Sequence, residues 1–580
     1  MEKMIKCEND RSRYIVATFI VLALLMLTWG LIPIRFETND DVGIMYIVAG
    51  YRTGTPTNIT MFTNVIYGYM MSGLYSLVPN FPWYGFAHVF FIFISLVLIL
   101  KSMLKLAVSK NTPIYIPIGF FILLYYFFFF YYSSALQFTT TPAIMGAAAC
   151  VLMLSLFFDE TYYTRVLESA FIVTLIFCAY IFRPSTGTVV ILYFGFIVLF
   201  KVVYVILNKA EKQSRLIVLF TTCICITIVL ISAWAFDRAE ARTNGMDEFR
   251  IFNTQRAMYM DFRHVRYTEA PELYHSIGWD EDLYALTRSW FFIDRRVTLD
   301  NLTAINEYTQ LVRQEKSTIE RVHEALDNIQ GLLSNDRVAM SSTIVLIAIF
   351  IIHTIFLIFK KKWLSLLFIL TLMVGFVTSC LYLGFQGRFI LRVYFVTMIP
   401  AASLLFWSVI ENNVIPYKRR VEKIVCLVML IVLTGYFVVA PFRLQQYRRN
   451  FPTHTVRMEQ RLAFEQYAAE RPDNIYVFNS QLVNSTVPVF LTYGVERPSN
   501  VFFWGGAGMF SPIHNAQLKA NGLTELYSES LLNSGFYLFA TDIEAGIMDV
   551  FLRYMENMHQ ARPVIIDEFS GIIVVSFILE

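Results

Sequence analysis

Apolar residues along this chain gather into long runs instead of alternating or forming short helical stripes. Eleven runs of roughly 18–24 residues carry few charges, and each is long enough as a helix to cross about 30 Å of hydrocarbon. They fall at about 14–34, 84–106, 113–132, 139–158, 166–182, 186–207, 215–236, 341–359, 363–383, 389–409 and 424–441. A twelfth apolar stretch, Met61 to Pro79, is broken by Thr63, Asn64, Ser72 and Ser76 and by several Tyr and Gly. The pattern predicts a polytopic α-helical membrane protein with about 11 transmembrane helices.

Two long polar stretches follow a different rhythm. Between 237 and 340, Ile319, Val322, Leu326, Ile329 and Leu333 recur at helical spacing, and Ser317 with Glu320 has the form of a capping box, so a helix starts there. Arg256 to Phe262 reads as another short helix. In the tail, a helix near Val456–Glu470 precedes strand-like Ile475–Phe478 and Phe536–Ala540. A helix at Ile547–Met558 and a hairpin turning at Ser570-Gly571 come next. The chain therefore divides into a membrane core over 1–236, a helical loop over 237–340, further membrane helices over 341–441 and a small α/β domain over 442–580.

Charge sets the topology. If 61–79 lies along the membrane surface, every basic connection falls on the side of the N-terminus: Lys101/Lys105/Lys110, Lys201/Lys209/Lys212/Arg215, Lys360/Lys361/Lys362 and Lys418/Arg419/Arg420/Lys423. If it spans, all of them move outside, against the positive-inside rule. The first arrangement is expected. It puts the N-terminus in the cytoplasm, and a first loop (about 35–83, with interfacial helices), the large loop and the tail outside. The basic start (Lys3, Lys6, Arg11, Arg13) has no small-residue cleavage site after it and reads as an uncleaved signal anchor.

Composition agrees: 56% hydrophobic, 16% charged and a mean hydropathy of +0.54 lie far from a soluble domain. The net charge of +3 averages over two membrane faces, and no basic tract of nucleic-acid-binding type exists. The seven cysteines sit in apolar runs or the N-terminal tail, leaving no disulfide framework or zinc spacing. Cys-free external regions and short polar connections point to a bacterial cytoplasmic membrane. No Walker loop, Rossmann glycine pattern, nucleophile elbow or His-Glu-x-x-His pair is present, which argues against an ATP-driven transporter and a zinc protease.

Candidate chemistry lies on the outer side. The first loop opens Glu37-Thr38-Asn39-Asp40-Asp41, and two adjacent carboxylates there can supply a general base or bind a divalent cation. A bare Asp pair is more often a solvated loop start. Arg183 ends the fifth span before Pro184. Arg388 and Arg392 open the tenth, four residues apart and so on one helix side, with Gln386 just before them. Guanidinium groups at headgroup depth suit a phosphate. Snorkelling would explain a single one, but these three stand where outward connections are otherwise nearly free of Lys and Arg. Gln137 and Thr139-Thr140-Thr141-Pro142 occupy another outer turn. They either line the same cavity or are an ordinary helix start. His88 and His353, within spans, read as bonds between helices. Trp279 and Trp290 read as buried anchors sooner than sugar platforms.

Taken together, these features resemble the GT-C superfamily of polyprenyl-phosphate-sugar-dependent membrane glycosyltransferases, which includes protein O-mannosyltransferases and aminoarabinose transferases. Asp40-Asp41 stands where members carry an acidic pair after the first span. Tyr51-Arg52-Thr53-Gly54-Thr55-Pro56 resembles the Gly…Pro stretch that follows it, with Arg52 toward the same cavity. The resemblance implies inverting transfer, with Asp41 or Asp40 as base, and Arg388, Arg392 and Arg183 neutralising the leaving lipid phosphate. It also implies a glycan, lipid or protein acceptor. Any metal would sit at Asp40 and Asp41. Two other readings stay open: a lipid-linked saccharide transporter or flippase, which should show repeated halves and broken mid-membrane helices, and an O-antigen polymerase or ligase-like enzyme.

Overall fold

The computed structural model describes residues 9–156, 158, 162–207, 212–412, 459–479, 489–490, 498–506, 508–541 and 545–580. Among these, eight helices are long and apolar enough to cross a membrane: Asp10–Leu31, Trp83–Ser109, Tyr163–Phe182, Pro184–Leu207, Arg215–Thr243, Arg337–Phe359, Trp363–Phe385 and Leu391–Glu411. The protein is a helical polytopic membrane protein. Two expected spans form shorter apolar helices, Tyr115–Phe129 and Thr140–Ser155. The first ends in a π-helical turn over Tyr125–Phe129. The second is buried along its whole length among four neighbouring helices, so it need not match the lipid thickness. The expected span 424–441, with the basic residues before it, lies outside the described residues.

Burial separates lipid-facing from inward-facing helices. Ile217, Phe220, Ile224, Ile228 and Ile231 recur every three or four residues and are all exposed, an apolar stripe suited to lipid tails. Leu391–Glu411, by contrast, is nearly all buried. Thr140–Ser155 packs closely because Gly146 has no side chain: a Cβ there would meet Val190 Cγ2 at 2.2 Å. The stretch after Met61 forms a helix of 13 residues, Val65–Leu77. At 1.5 Å per residue that is about 20 Å, too short to span.

The capping box at Ser317 and Glu320 is present and opens the helix Thr318–Asn335. Its apolar stripe is split: Ile319, Val322 and Leu326 are exposed, whereas Ile329 and Leu333 pack against the core of the membrane helices and Ala325 is buried against Gly384. The short helix expected near Arg256 runs longer, Met246–Asp261.

Two residues of the first loop, β1 (Arg35–Phe36), pair in parallel with β2 (Ala135–Leu136). In the tail, β3 (Ile475–Asn479), β4 (Val501–Trp504), β5 (Phe536–Thr541), β6 (Ala561–Phe569) and β7 (Ile572–Leu579) form one sheet in the order β4-β3-β5-β7-β6. The β6–β7 hairpin turns at Ser570 and Gly571, both at positive φ, as a two-residue turn requires. β4 and the helix Pro512–Ala520 go beyond the elements predicted from sequence.

Both faces of this sheet are buried. Tyr476, Phe478, Phe539, Ile572 and Val574 join the core that includes the membrane helices and Phe464 and Ala468. The alternate residues Ile475, Val477, Leu538, Val575 and Phe577 join a second core with Tyr259, Trp279, Leu283, Leu286, Phe291 and Phe292 of the large loop. Trp279 is the buried anchor expected of it, its Nε1 donating to the Arg296 carbonyl at 3.0 Å.

Candidate functional site

The site begins with the first turn of the helix Asn39–Val48, where Asp40 and Asp41 lie next to each other. The β1–β2 pairing carries on as Glu37 N–H donates to the Leu136 carbonyl at 2.8 Å. It places the buried amide of Phe138, two residues on, with its N–H on Asp41 Oδ1 at 2.8 Å. Tyr84 donates its hydroxyl to the same oxygen at 3.0 Å, and Thr38 donates to Oδ2 at 2.7 Å. Asp41 is wholly buried. Burial pushes its carboxyl up to about 7, against the pull of the bonds from Thr38, Phe138 and Tyr84.

His88 bonds a neighbouring helix as expected, with Nδ1 2.8 Å from Thr141 Oγ1. Its Nε2 stands 3.9 Å from Asp41 Oδ1, a proximity that periodicity does not reveal. His353 likewise meets Ser408 Oγ at 3.0 Å.

Asp40 has different surroundings. It is half-buried, and among the described residues it forms no hydrogen bond or ion pair. Burial raises its pKa, while the charges of Arg392 and Arg183, and more weakly Arg256, pull it down. Arg392 is also half-buried and unpaired among the described residues, and its charge reaches Glu37 as well. Glu37 itself is held by Arg35 at 3.2 Å and by the Tyr131 hydroxyl at 2.6 Å.

Arg183 is the single residue between two spanning helices. Its guanidinium lies 4.2 Å over the Phe138 ring and 5.5 Å from Phe62, a cation–π seat that aims it at the same place. Its Nε donates to Ser185 Oγ at 3.1 Å, and Nη1 has no partner among the described residues.

Arg388 and Arg392 do not share a helix face. The helix Trp363–Phe385 ends in a Schellman turn, with Gly387 at φ 77°, Gly387 N–H on the Gly384 carbonyl and Arg388 N–H on the Leu383 carbonyl. Gln386 is its C-cap, and the next helix starts only at Leu391. Arg388 therefore lies in the turn, where it pairs with Asp261 at 2.8 Å and covers Phe262 at 5.4 Å.

Gln137 is fully buried with both side-chain polar atoms unpartnered among the described residues; it precedes the Phe138 amide that holds Asp41. Arg52 stands elsewhere: it lies 5.5 Å from the Phe503 ring of β4, and the groups acting on its charge are Tyr46 and Arg461, not Asp40. Arg256, Asp261, Tyr84, Thr38 and the Phe138 amide are site residues that sequence reading missed, because their link to Asp40 or Asp41 comes from tertiary contact.

As a metal site the pair offers little. Asp41's oxygens are taken by three donors, and among the described residues no three of His, Cys, Asp and Glu gather as ligands. The arrangement is instead a free carboxylate in a field of guanidinium groups.

No protein-family model matches the chain, and no curated protein matches it. Among solved structures, it is similar to ArnT from Cupriavidus metallidurans bound to undecaprenyl phosphate, at 10% identity and a TM-score of 0.39 over 97% of each chain. It is similar to the apo state of the same protein at 11% identity and a TM-score of 0.38, over 96% of this chain and 97% of that one.

Proposed function

We propose that the protein is a membrane glycosyltransferase that moves a sugar from a polyprenyl-phosphate donor to the hydroxyl of a glycan, lipid or protein acceptor. The reaction takes place at the extracytoplasmic face, with inversion. One observation carries this reading: Asp40 is an unengaged carboxylate in the shared field of Arg392 and Arg183, at the head of a bundle of membrane helices.

Asp40 accepts the proton of the acceptor hydroxyl. That oxygen bonds to the anomeric carbon as the carbon's bond to the lipid phosphate oxygen breaks, and the phosphate leaves with the electron pair. Arg392 and Arg183 neutralise the charge gathering on it, the step where preorganised cations contribute most. Arg388, paired with Asp261 in the turn before the helix that carries Arg392, supports the field. Asp41 is a positioning residue, since two of its three bonds tie the first loop to Tyr84 and to the turn before Thr140–Ser155.

The test uses the full chain in nanodiscs, with a radiolabelled polyprenyl-phosphate sugar and an envelope extract as acceptor. Asp40→Asn should lower kcat/KM by about 10²–10⁴, the usual worth of a general base, with thermal stability unchanged. Full transfer by Asp40→Asn would remove the base from the scheme. Movement of labelled lipid across the bilayer without any transfer product would replace the enzyme with a transporter.

A further inference from the structure

We propose a second oxyanion-binding site, for a phosphoryl group, built by Arg52 and Arg461 where the first loop meets the tail sheet. It is independent of the transfer proposed above.

The turn after Asn39–Val48 creates it. Gly50 sits at φ 81° and would place a Cβ 2.5 Å from the Thr55 carbonyl carbon, so the chain doubles back tightly. Tyr51 N–H closes on the Tyr46 carbonyl at 2.8 Å. Arg52 then lies over the Phe503 ring. Across from it, Arg461 is nearly buried over the Tyr46 ring at 4.4 Å, with its Nε on Glu465 at 3.0 Å.

Arg52 is the telling residue. Among the described residues it has no hydrogen bond and no ion pair, and its Nε is sealed from solvent. Besides Tyr46, the cation Arg461 acts on it, and His514, buried on the helix Pro512–Ala520, feels the Arg52 charge in turn. A largely enclosed cation set against a second cation is costly unless an anion joins them. Beside Arg52, Gly508 leaves the wall bare: a Cβ there would stand 2.9 Å from Nη1. Glu465 pairs with Arg461, and among the described residues no anion pairs with Arg52. A guanidinium fork presents paired donors to a phosphoryl group. That group arrives either free in solution or as a lipid headgroup.

The experiment follows the melting temperature of the full chain in detergent. Ligands are inorganic phosphate or short-chain phosphatidic acid, each against chloride at matched ionic strength. Wild type should be stabilised, and Arg52→Gln should need at least about tenfold more ligand for the same shift, the worth of one lost charge-assisted bond. Arg553→Gln, which removes an exposed cation paired with Asp282 at 3.0 Å, should respond as wild type does. Stabilisation by phosphate supports a soluble ligand; stabilisation by phosphatidic acid alone supports a headgroup. No stabilisation by either ligand, or an undiminished response in Arg52→Gln, overturns the site. A response lost in Arg553→Gln but kept in Arg52→Gln also overturns it. If Arg52→Gln fails to fold, Gly508→Ala, which crowds Nη1, should weaken the response; a wild-type response from that variant overturns the site.

Discussion

Asp40 and Asp41 are adjacent in the chain but about 100° apart around one helix turn, and that rotation separates their chemistry. Asp41 turns inward to three donors, and Asp40 turns toward the arginines. Folded Asp41 holds its proton more tightly than the unfolded chain does, since its value rises from 3.8 to about 7. Its contribution to stability is therefore fully present below about pH 4, falls as pH rises through that window, and is gone above about 7. Asp41→Asn should flatten this part of the curve, measured as melting temperature against pH for both proteins. A variant curve parallel to wild type would count against the burial account. At neutral pH, the same variant leaves one buried donor short of an acceptor, a cost of about 1–3 kcal/mol that chemical denaturation can read.

At the scale of elements, the turn between Trp363–Phe385 and Leu391–Glu411 decides where Arg388 and Arg392 point. Gly387 holds a left-handed conformation there, and a Cβ would have room, 3.5 Å from Arg263 Cβ. Strain, not crowding, is the obstacle to substitution. Gly387→Val should therefore cost about 1–2 kcal/mol and loosen the pairing of Arg388 with Asp261, while Gly387→Asn, which tolerates that region, should cost less. Thermal melts of the two variants test the order; equal losses would assign the cost to something other than φ. The same logic made the Ser570-Gly571 hairpin legible from sequence, whereas the spacing of Arg388 and Arg392 suggested a shared helix face that the Schellman turn excludes.

At the scale of the whole molecule, the large loop and the tail share one core through Trp279, Leu283, Leu286, Val477, Trp504 and Phe551. Removing the Trp279 side chain should cost about 3–5 kcal/mol, as for a large buried aromatic. It should also raise hydrogen exchange in Glu281–Arg288 and in β3 together. Exchange confined to one of them would mean that the two segments are stable independently. The tail sheet also faces the membrane-side core, and Arg52 of the first loop lies over Phe503 of β4.

What the sequence determined by itself was local: the long apolar runs that become helices, the capping box at Ser317, the hairpin turn and the position of the acidic pair. Each depends on residues within a few turns of each other, where periodicity, length and turn chemistry suffice. Only the tertiary structure decided which carboxylate stays free, that Tyr84 and the Phe138 amide take Asp41, that Asp261 takes Arg388, and that Arg52 lies over Phe503. Those outcomes join residues far apart in the chain. Hydrogen bonds and charge pairing across such distances leave no periodic trace in the sequence.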